Sequence, residues 1–136
     1  MRIKFLATGQ SPDFYEFDGD KITARSGDSF EEFDLSGIEH GGKFEGVEVD
    51  TLPLPATQII RDAFRDEQGE LHVTLTEKSP MHGHWRESEW LDVEDYHPMN
   101  SHIRKKVGEE LIEPIKKFVK VEGEWKTRSE VENGEG

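Results

Sequence analysis

The chain reads as a mainly β protein: an antiparallel meander plus a hairpin, forming a small partly closed barrel or sandwich, with one or two short helices near the C-terminus. Three observations predict this class. Leu71, Val73 and Leu75 alternate with His72, Thr74 and Thr76, the period of a strand with one buried face. Turn sequences recur at short intervals, among them Asp18-Gly19-Asp20, Ser26-Gly27-Asp28 and Asp66-Glu67-Gln68-Gly69. Beyond Pro98 the apolar spacing lengthens to three or four residues, which is helical.

Residues 1–7 make the first strand, with Ile3 and Phe5 opposite Arg2, Lys4 and Leu6. A break at residues 8–12 leads into strands over 14–17, 21–25 and 30–35, a meander with Phe17, Ile22, Phe33 and Leu35 as core contributors. Residues 36–42 are a loop. No Lys-Ser/Thr follows Gly41-Gly42, so the pair is loop flexibility rather than a phosphate cradle. Residues 44–49 form a further strand with Val47 and Val49 inward. Pro53 and Pro55 hold residues 51–55 extended and carry the chain to a hairpin spanning 57–78. Its first arm carries Ile60 and Phe64 at even spacing, and its second arm is the alternating run. Ser79-Pro80 ends it. Residues 81–97 then concentrate Trp85, Trp90 and Tyr96, aromatic area suited to covering an open end of a small core, with a strand over 90–93. The total is seven or so short strands.

In the C-terminal part, Ile103, Val107, Leu111, Ile115 and Phe118 recur at helical spacing, with Asn100 or Ser101 as N-cap. Gly108 and Pro114 interrupt them, and a proline inside a helix costs about 3 kcal/mol. The expectation is two short helices split near Pro114, or one helix starting beside it. Residues 118–121 and 124–128 flank Glu122-Gly123 and read as a last hairpin. The chain thus divides into an acidic β domain at 1–97, a helical and hairpin appendage at 98–128, and a disordered tail at 129–136.

Charge supports that division. Residues 1–97 hold 22 acids and 9 bases, whereas residues 98–136 hold 8 of each, so the net charge of −13 lies wholly in the first part. An acidic body argues against direct binding of nucleic acid or anionic lipid, and suits a basic protein partner or imitation of DNA. Leu, Ile, Val and Phe together number 32 of 136 residues, enough for a thin core that self-association would complete. Cysteine is absent, which excludes disulfides and thiolate metal sites. No apolar run approaches membrane-spanning length, and the N-terminal apolar run is too short for a signal peptide, so the expected location is cytoplasmic.

The most chemical-looking group is His82-Gly83-His84, whose imidazoles would face one way on a strand, with His97 and Glu87 as further ligands. No C-x-x-C or H-E-x-x-H spacing supports it, and a glycine between two histidines is equally a flexible loop. The expectation is therefore no metal and no cofactor. No serine sits in a nucleophile elbow, and acid pairs such as Glu94-Asp95 are unremarkable among 30 acids, so no enzyme is expected. Arg104, Lys105 and Lys106, with Lys116, Lys117 and Lys120, form a basic cluster with three readings: a contact to nucleic acid, the polar face of the tail helix, or a strip that meets the acidic body of a neighbouring chain. Trp85, Trp90, Ile103, Val107, Leu111, Ile115 and Phe118 are the expected interaction surface, whether toward a protein partner or a second copy. On this reading, removing residues 98–136 leaves the β body folded and alters its association.

The runs FYEFDGDKI, EEFDLSGIEHGGKFEGVEVDTLPLP, IIRDAFRDEQGELHVTL and HWRESEWLDVEDY resemble small acidic uncharacterised proteins encoded in tailed phages and prophages. The resemblance covers residues 1–97, rests on no catalytic signature and brings no functional residues. It implies a non-enzymatic phage or prophage structural or assembly accessory protein, located in the host cytoplasm or the virion. The alternative is an acidic DNA mimic that inhibits a DNA-binding protein.

Overall fold

The computed structural model describes residues 1–9, 11–39, 41–44, 59–79, 84–114 and 116–128. The expected strand beyond residue 44 with Val47 and Val49, the proline segment 51–55, His82 with Gly83, Ile115 and residues 129–136 lie outside them. The described chain is mainly β, as expected. Its strands are β1 (Arg2–Thr8), β2 (Phe14–Asp18), β3 (Lys21–Ser26), β4 (Ser29–Asp34), β5 (Lys43–Phe44), β6 (Ile60–Arg65) and β7 (Leu71–Lys78). They continue as β8 (His84–Trp85), β9 (Leu91–Asp92), β10 (Lys105–Val107), β11 (Glu110–Ile112), β12 (Phe118–Val121) and β13 (Glu124–Thr127).

The central sheet has the order β5-β6-β7-β1-β9. The expected hairpin is β6 and β7, joined by a turn in which Asp66 Oδ1 accepts from the Gln68 and Glu70 amides at 2.9 and 2.8 Å. Leu71, Val73 and Leu75 are buried as the alternation demands. Thr74 and Thr76 on the other face are buried too, so β7 is covered on both sides. That follows from its place as the middle strand, and from its other neighbour: β1 runs parallel to β7, Ile3 beside Val73 and Phe5 beside Leu75. The sheet is therefore mixed rather than purely antiparallel, and strands paired in parallel tend to be covered on both faces. A register shift between Ile60 and Asp62 changes the reading of β6 as well. It sets Ile60 opposite Leu75 but Phe64 opposite His72, so the two evenly spaced residues face opposite ways.

The meander is β2-β3-β4, with Tyr15 opposite Ala24, and Ile22 opposite both Phe17 and Phe33. Its buried face lies on the central sheet, where the Tyr15 and Phe5 rings approach to 6.0 Å and the Tyr15 hydroxyl donates to the Thr76 carbonyl at 2.6 Å. Arg65 pins the far corner. Its guanidinium donates to the Ile38, Gly69 and Leu35 carbonyls at 2.6, 2.9 and 3.3 Å and pairs with Asp20 at 3.1 Å. Among the described residues the sheets do not close into a barrel.

Among the described residues the expected C-terminal helices are not formed. Residues 105–112 are the hairpin β10-β11, with β10 also paired to β8, and Phe118–Val121 pairs with Glu124–Thr127 as expected. Local chemistry accounts for the difference. Gly108 takes a φ of 64° at the first position of a two-residue turn, a hairpin geometry that closes Val107 onto Glu110. Pro114 would clash in the interior of one helix running on from residue 103 and leave a carbonyl there without its donor. A single 3-10 turn at Val93–Asp95, capped by Asp92, stands where the strand over 90–93 stops short. Residues 98–104 run into the body itself, and Ile103 is fully buried within its core.

Candidate functional site

Two places in the described structure hold side chains that core packing alone does not explain. One is centred on β7. Glu77 shares the face of Leu75 and reaches the segment ahead of β10. Its Oε1 accepts from the His102 amide at 2.6 Å and the Ser101 hydroxyl at 3.1 Å, while Oε2 stands 2.8 Å from His102 Nδ1. The His102 ring is buried and stacks on Phe5 and Tyr96, each at 5.0 Å between centroids. Tyr96 in turn accepts from the Tyr15 amide at 3.0 Å through its hydroxyl oxygen. Burial pushes both tyrosine hydroxyls well above the usual phenol range, against the lowering pull of their hydrogen bonds.

Asn100 completes this region. Its amide donates to the Phe118 carbonyl at 2.9 Å and its carbonyl accepts from the Phe118 amide at 3.0 Å, so one side chain imitates a strand partner for β12. Phe118 then lies flat against His97, ring centroids 4.2 Å apart, with Trp125 edge-on at 4.9 Å.

The other place is the hairpin β10-β11. Val107, Leu111 and Ile112 are 49%, 45% and 47% exposed, the two strands are short, and β11 is the outer strand of its sheet. Pairing sets Lys105 opposite Ile112 and Lys106 opposite Leu111, so Ile112 and Leu111 present apolar area on opposite faces.

The residues expected from sequence fall into these surroundings unevenly. Val107 and Leu111 are on the exposed hairpin. Trp85 is half-buried in β8 with the Lys105 ammonium over its ring, and Trp90 is half-buried beside His72 and Lys4. Phe118 is half-buried, whereas Ile103 has no exposed area and belongs to the core, not to a surface. Of the histidine group, His84 pairs through its backbone with Lys106 in β8. His97 is committed elsewhere: its Nδ1 accepts from the Met99 amide at 3.1 Å, and burial, with a smaller effect from His102, lowers its pKa. Glu87 pairs with Lys4 at 3.3 Å. Among the described residues no three histidine, aspartate or glutamate side chains converge as metal ligands.

The basic strip is partly spent within the chain. Arg104 donates to the Glu87 carbonyl and pairs with Glu89 at 3.3 Å, and Lys120 donates to the Glu94 carbonyl at 2.9 Å. Sequence reasoning missed Glu77, His102 and Asn100, whose partners lie 18 to 25 residues away with no spacing rule to connect them. Among the described residues no helix is long and apolar enough to cross a membrane. No family model matches the chain, and neither the curated proteins nor the solved structures compared with it give a match.

Proposed function

We propose that this chain is a non-enzymatic interaction protein, of the phage or prophage structural or assembly accessory kind, and that it docks a partner through β10-β11. The observation that carries the reading is the exposed hairpin: Val107, Leu111 and Ile112 stand about half in water beside a strand edge that no strand among the described residues pairs with. An open edge with apolar side chains is a template for an added strand. Burying the exposed part of each side chain contributes about 1 kcal/mol, on top of the backbone hydrogen bonds of the added strand.

Charge selects the occupant. Glu109, Glu110 and Glu113 are all exposed around β11. A second copy pairing antiparallel about Leu111 would set Glu109 of one chain against Glu113 of the other, which is unfavourable. A partner strand that alternates apolar and basic residues meets no such repulsion. The resemblance of residues 1–97 to phage and prophage proteins supports an accessory role, and the acidic body suits the same basic partner. A DNA mimic fits less well, because acids are interleaved with cations in pairs such as Lys4–Glu87, Arg65–Asp20 and Arg104–Glu89.

The test uses two synthetic peptides, one alternating lysine and valine, the other glutamate and valine, followed by fluorescence anisotropy. The lysine peptide should bind, weaken as salt rises, and lose affinity on the double substitution Leu111→Ser, Ile112→Ser. Equal binding of both peptides, or of neither, would reject the docking strand. A dimer in light scattering that the same substitutions dissolve would replace the partner strand with a second copy.

A further inference from the structure

A separate feature is a cleft of about 570 Å³ between β1, β6, β8 and one face of β10-β11. Arg61, Arg86 and Lys106 line it, each on a different segment and each exposed. Among the described residues Lys4, Arg25, Arg65 and Arg104 each pair with a carboxylate, whereas these three pair with none. Acids outnumber bases 30 to 17, so a cation-lined cleft is not what composition alone delivers.

Register and hydrogen bonding turn these side chains to the cleft. On the hairpin, Lys106, Glu109 and Leu111 line it, while Lys105, Val107, Glu110 and Ile112 stay off it. Lys106 lies opposite Leu111, so the two share one face, as a two-residue period requires. Arg61 is the extra residue of the β6 bulge: pairing passes from Ile60–Leu75 to Asp62–Thr74 and skips it, and neither neighbour lines the cleft. Bulges re-aim a side chain in this way. Arg86 donates its amide to the Arg104 carbonyl at 2.9 Å, and its carbonyl accepts from the Ala7 amide at 2.8 Å. Its guanidinium is the polar group it has left to offer.

Charge and size select the ligand. Of the two carboxylates in the lining, Glu87 is held by Lys4 at 3.3 Å, which leaves Glu109 against three cations. That surplus suits a dianion, and guanidinium forks match the oxygens of a phosphate. Leu6, Ala7 and Leu111 give the cleft an apolar side, and its volume is that of a small-molecule site. A polyanion would run out of the cleft onto the acidic body, whereas a single phosphate stays beside the cations. We propose that this cleft binds a small phosphomonoester with an apolar organic part, its phosphate held by Arg61, Arg86 and Lys106. Arg61 and Arg86 lie off the β11 edge, so this site and the docking strand can fail separately.

The test is an amide NMR titration of the ¹⁵N-labelled full chain, above the second phosphate pKa of about 6. The probes are phenyl phosphate, inorganic phosphate, benzenesulfonate and a short single-stranded DNA, taken through the millimolar range. Phenyl phosphate should give saturable shifts at Ala7, Arg86 and Leu111. It should bind more tightly than inorganic phosphate, which lacks the apolar part, and than benzenesulfonate, which lacks the second charge. Arg61→Ala and Arg86→Ala should each weaken it about tenfold, and the amide spectrum itself reports that each variant is folded. Lys21→Ala, which removes an exposed cation of β3 outside the cleft, should leave the affinity unchanged. An equal loss in Lys21→Ala overturns the proposal, because general charge attraction would then suffice. So does unchanged affinity in both arginine variants, a linear drift without saturation, or tighter binding of the DNA, which would make this face a nucleic-acid contact.

Discussion

Glu77 holds His102 at two points, the ring through Nδ1 at 2.8 Å and the main chain through its amide at 2.6 Å. One carboxylate thereby ties the C-terminal end of β7 to the segment that brings Ile103 into the core. Three donors converge on it, counting the Ser101 hydroxyl. Replacing it with glutamine, which has one accepting oxygen, leaves at least one of the buried donors without a partner. Glu77→Gln should cost about 2–3 kcal/mol, read as a lower urea midpoint with an unchanged slope. A loss below about 0.5 kcal/mol would show that the pair contributes nothing net.

The alkaline limit of stability follows from Tyr15 and Tyr96. Both hydroxyls have pKa values raised in the folded chain, chiefly by burial. The unfolded chain therefore releases their protons first. Stability is fully present below the ordinary phenol pKa of about 10 and falls above it, by up to about 1.4 kcal/mol per pH unit for each tyrosine. Tyr15→Phe removes one of the two, so its stability should fall less steeply above that pH. It should also be less stable at neutral pH by about 1 kcal/mol, through loss of the bond to the Thr76 carbonyl. Urea unfolding across the alkaline range checks both slopes.

The sequence carries the β class because alternation and turn chemistry are local. Leu71, Val73 and Leu75 mark β7, and Gly19 and Gly27 mark the meander turns. What failed was either non-local or ambiguous in period. Nothing near Ile3 indicates that its strand lies parallel to one seventy residues on. Val107 and Leu111 satisfy helical spacing, yet they sit on two strands of one hairpin, and Gly108 with Pro114 was the local evidence that decided the matter. The site was least legible. Of the seven residues of the expected interaction surface, Val107 and Leu111 are exposed, Trp85, Trp90 and Phe118 are half-buried, Ile103 is core and Ile115 lies outside the described residues, and the Glu77–His102 pair has no sequence signature at all.

Glu122 offers a stabilising change. It is the only described non-glycine residue with positive φ, at 51°, and with Gly123 at 83° it forms the two-residue turn between β12 and β13. Both central residues are left-handed, the geometry for which Asn-Gly is favoured. Glu122→Asn should raise stability by about 0.5–1 kcal/mol, since asparagine enters that region at lower cost. Thermal unfolding measures it, and a fall in Tm would show that the glutamate side chain makes a contact worth more than the strain.

The C-terminal part should prove inseparable from the body, contrary to what its composition suggests. Ile103 is fully buried in the common core, His102 is tied to Glu77, and β10 pairs with β8. Ile103→Ala alone should cost about 2–5 kcal/mol, a large share of the 5–15 kcal/mol that stabilises an ordinary domain. Ending the chain at residue 97 removes that side chain together with the partners of Glu77, and it exposes Phe5 where His102 stacks on it. The shortened chain should therefore lose its cooperative urea transition and much of its tertiary circular-dichroism signal. A sharp transition with the β signal intact would show instead that residues 1–97 fold alone and that 98–128 only rest on them.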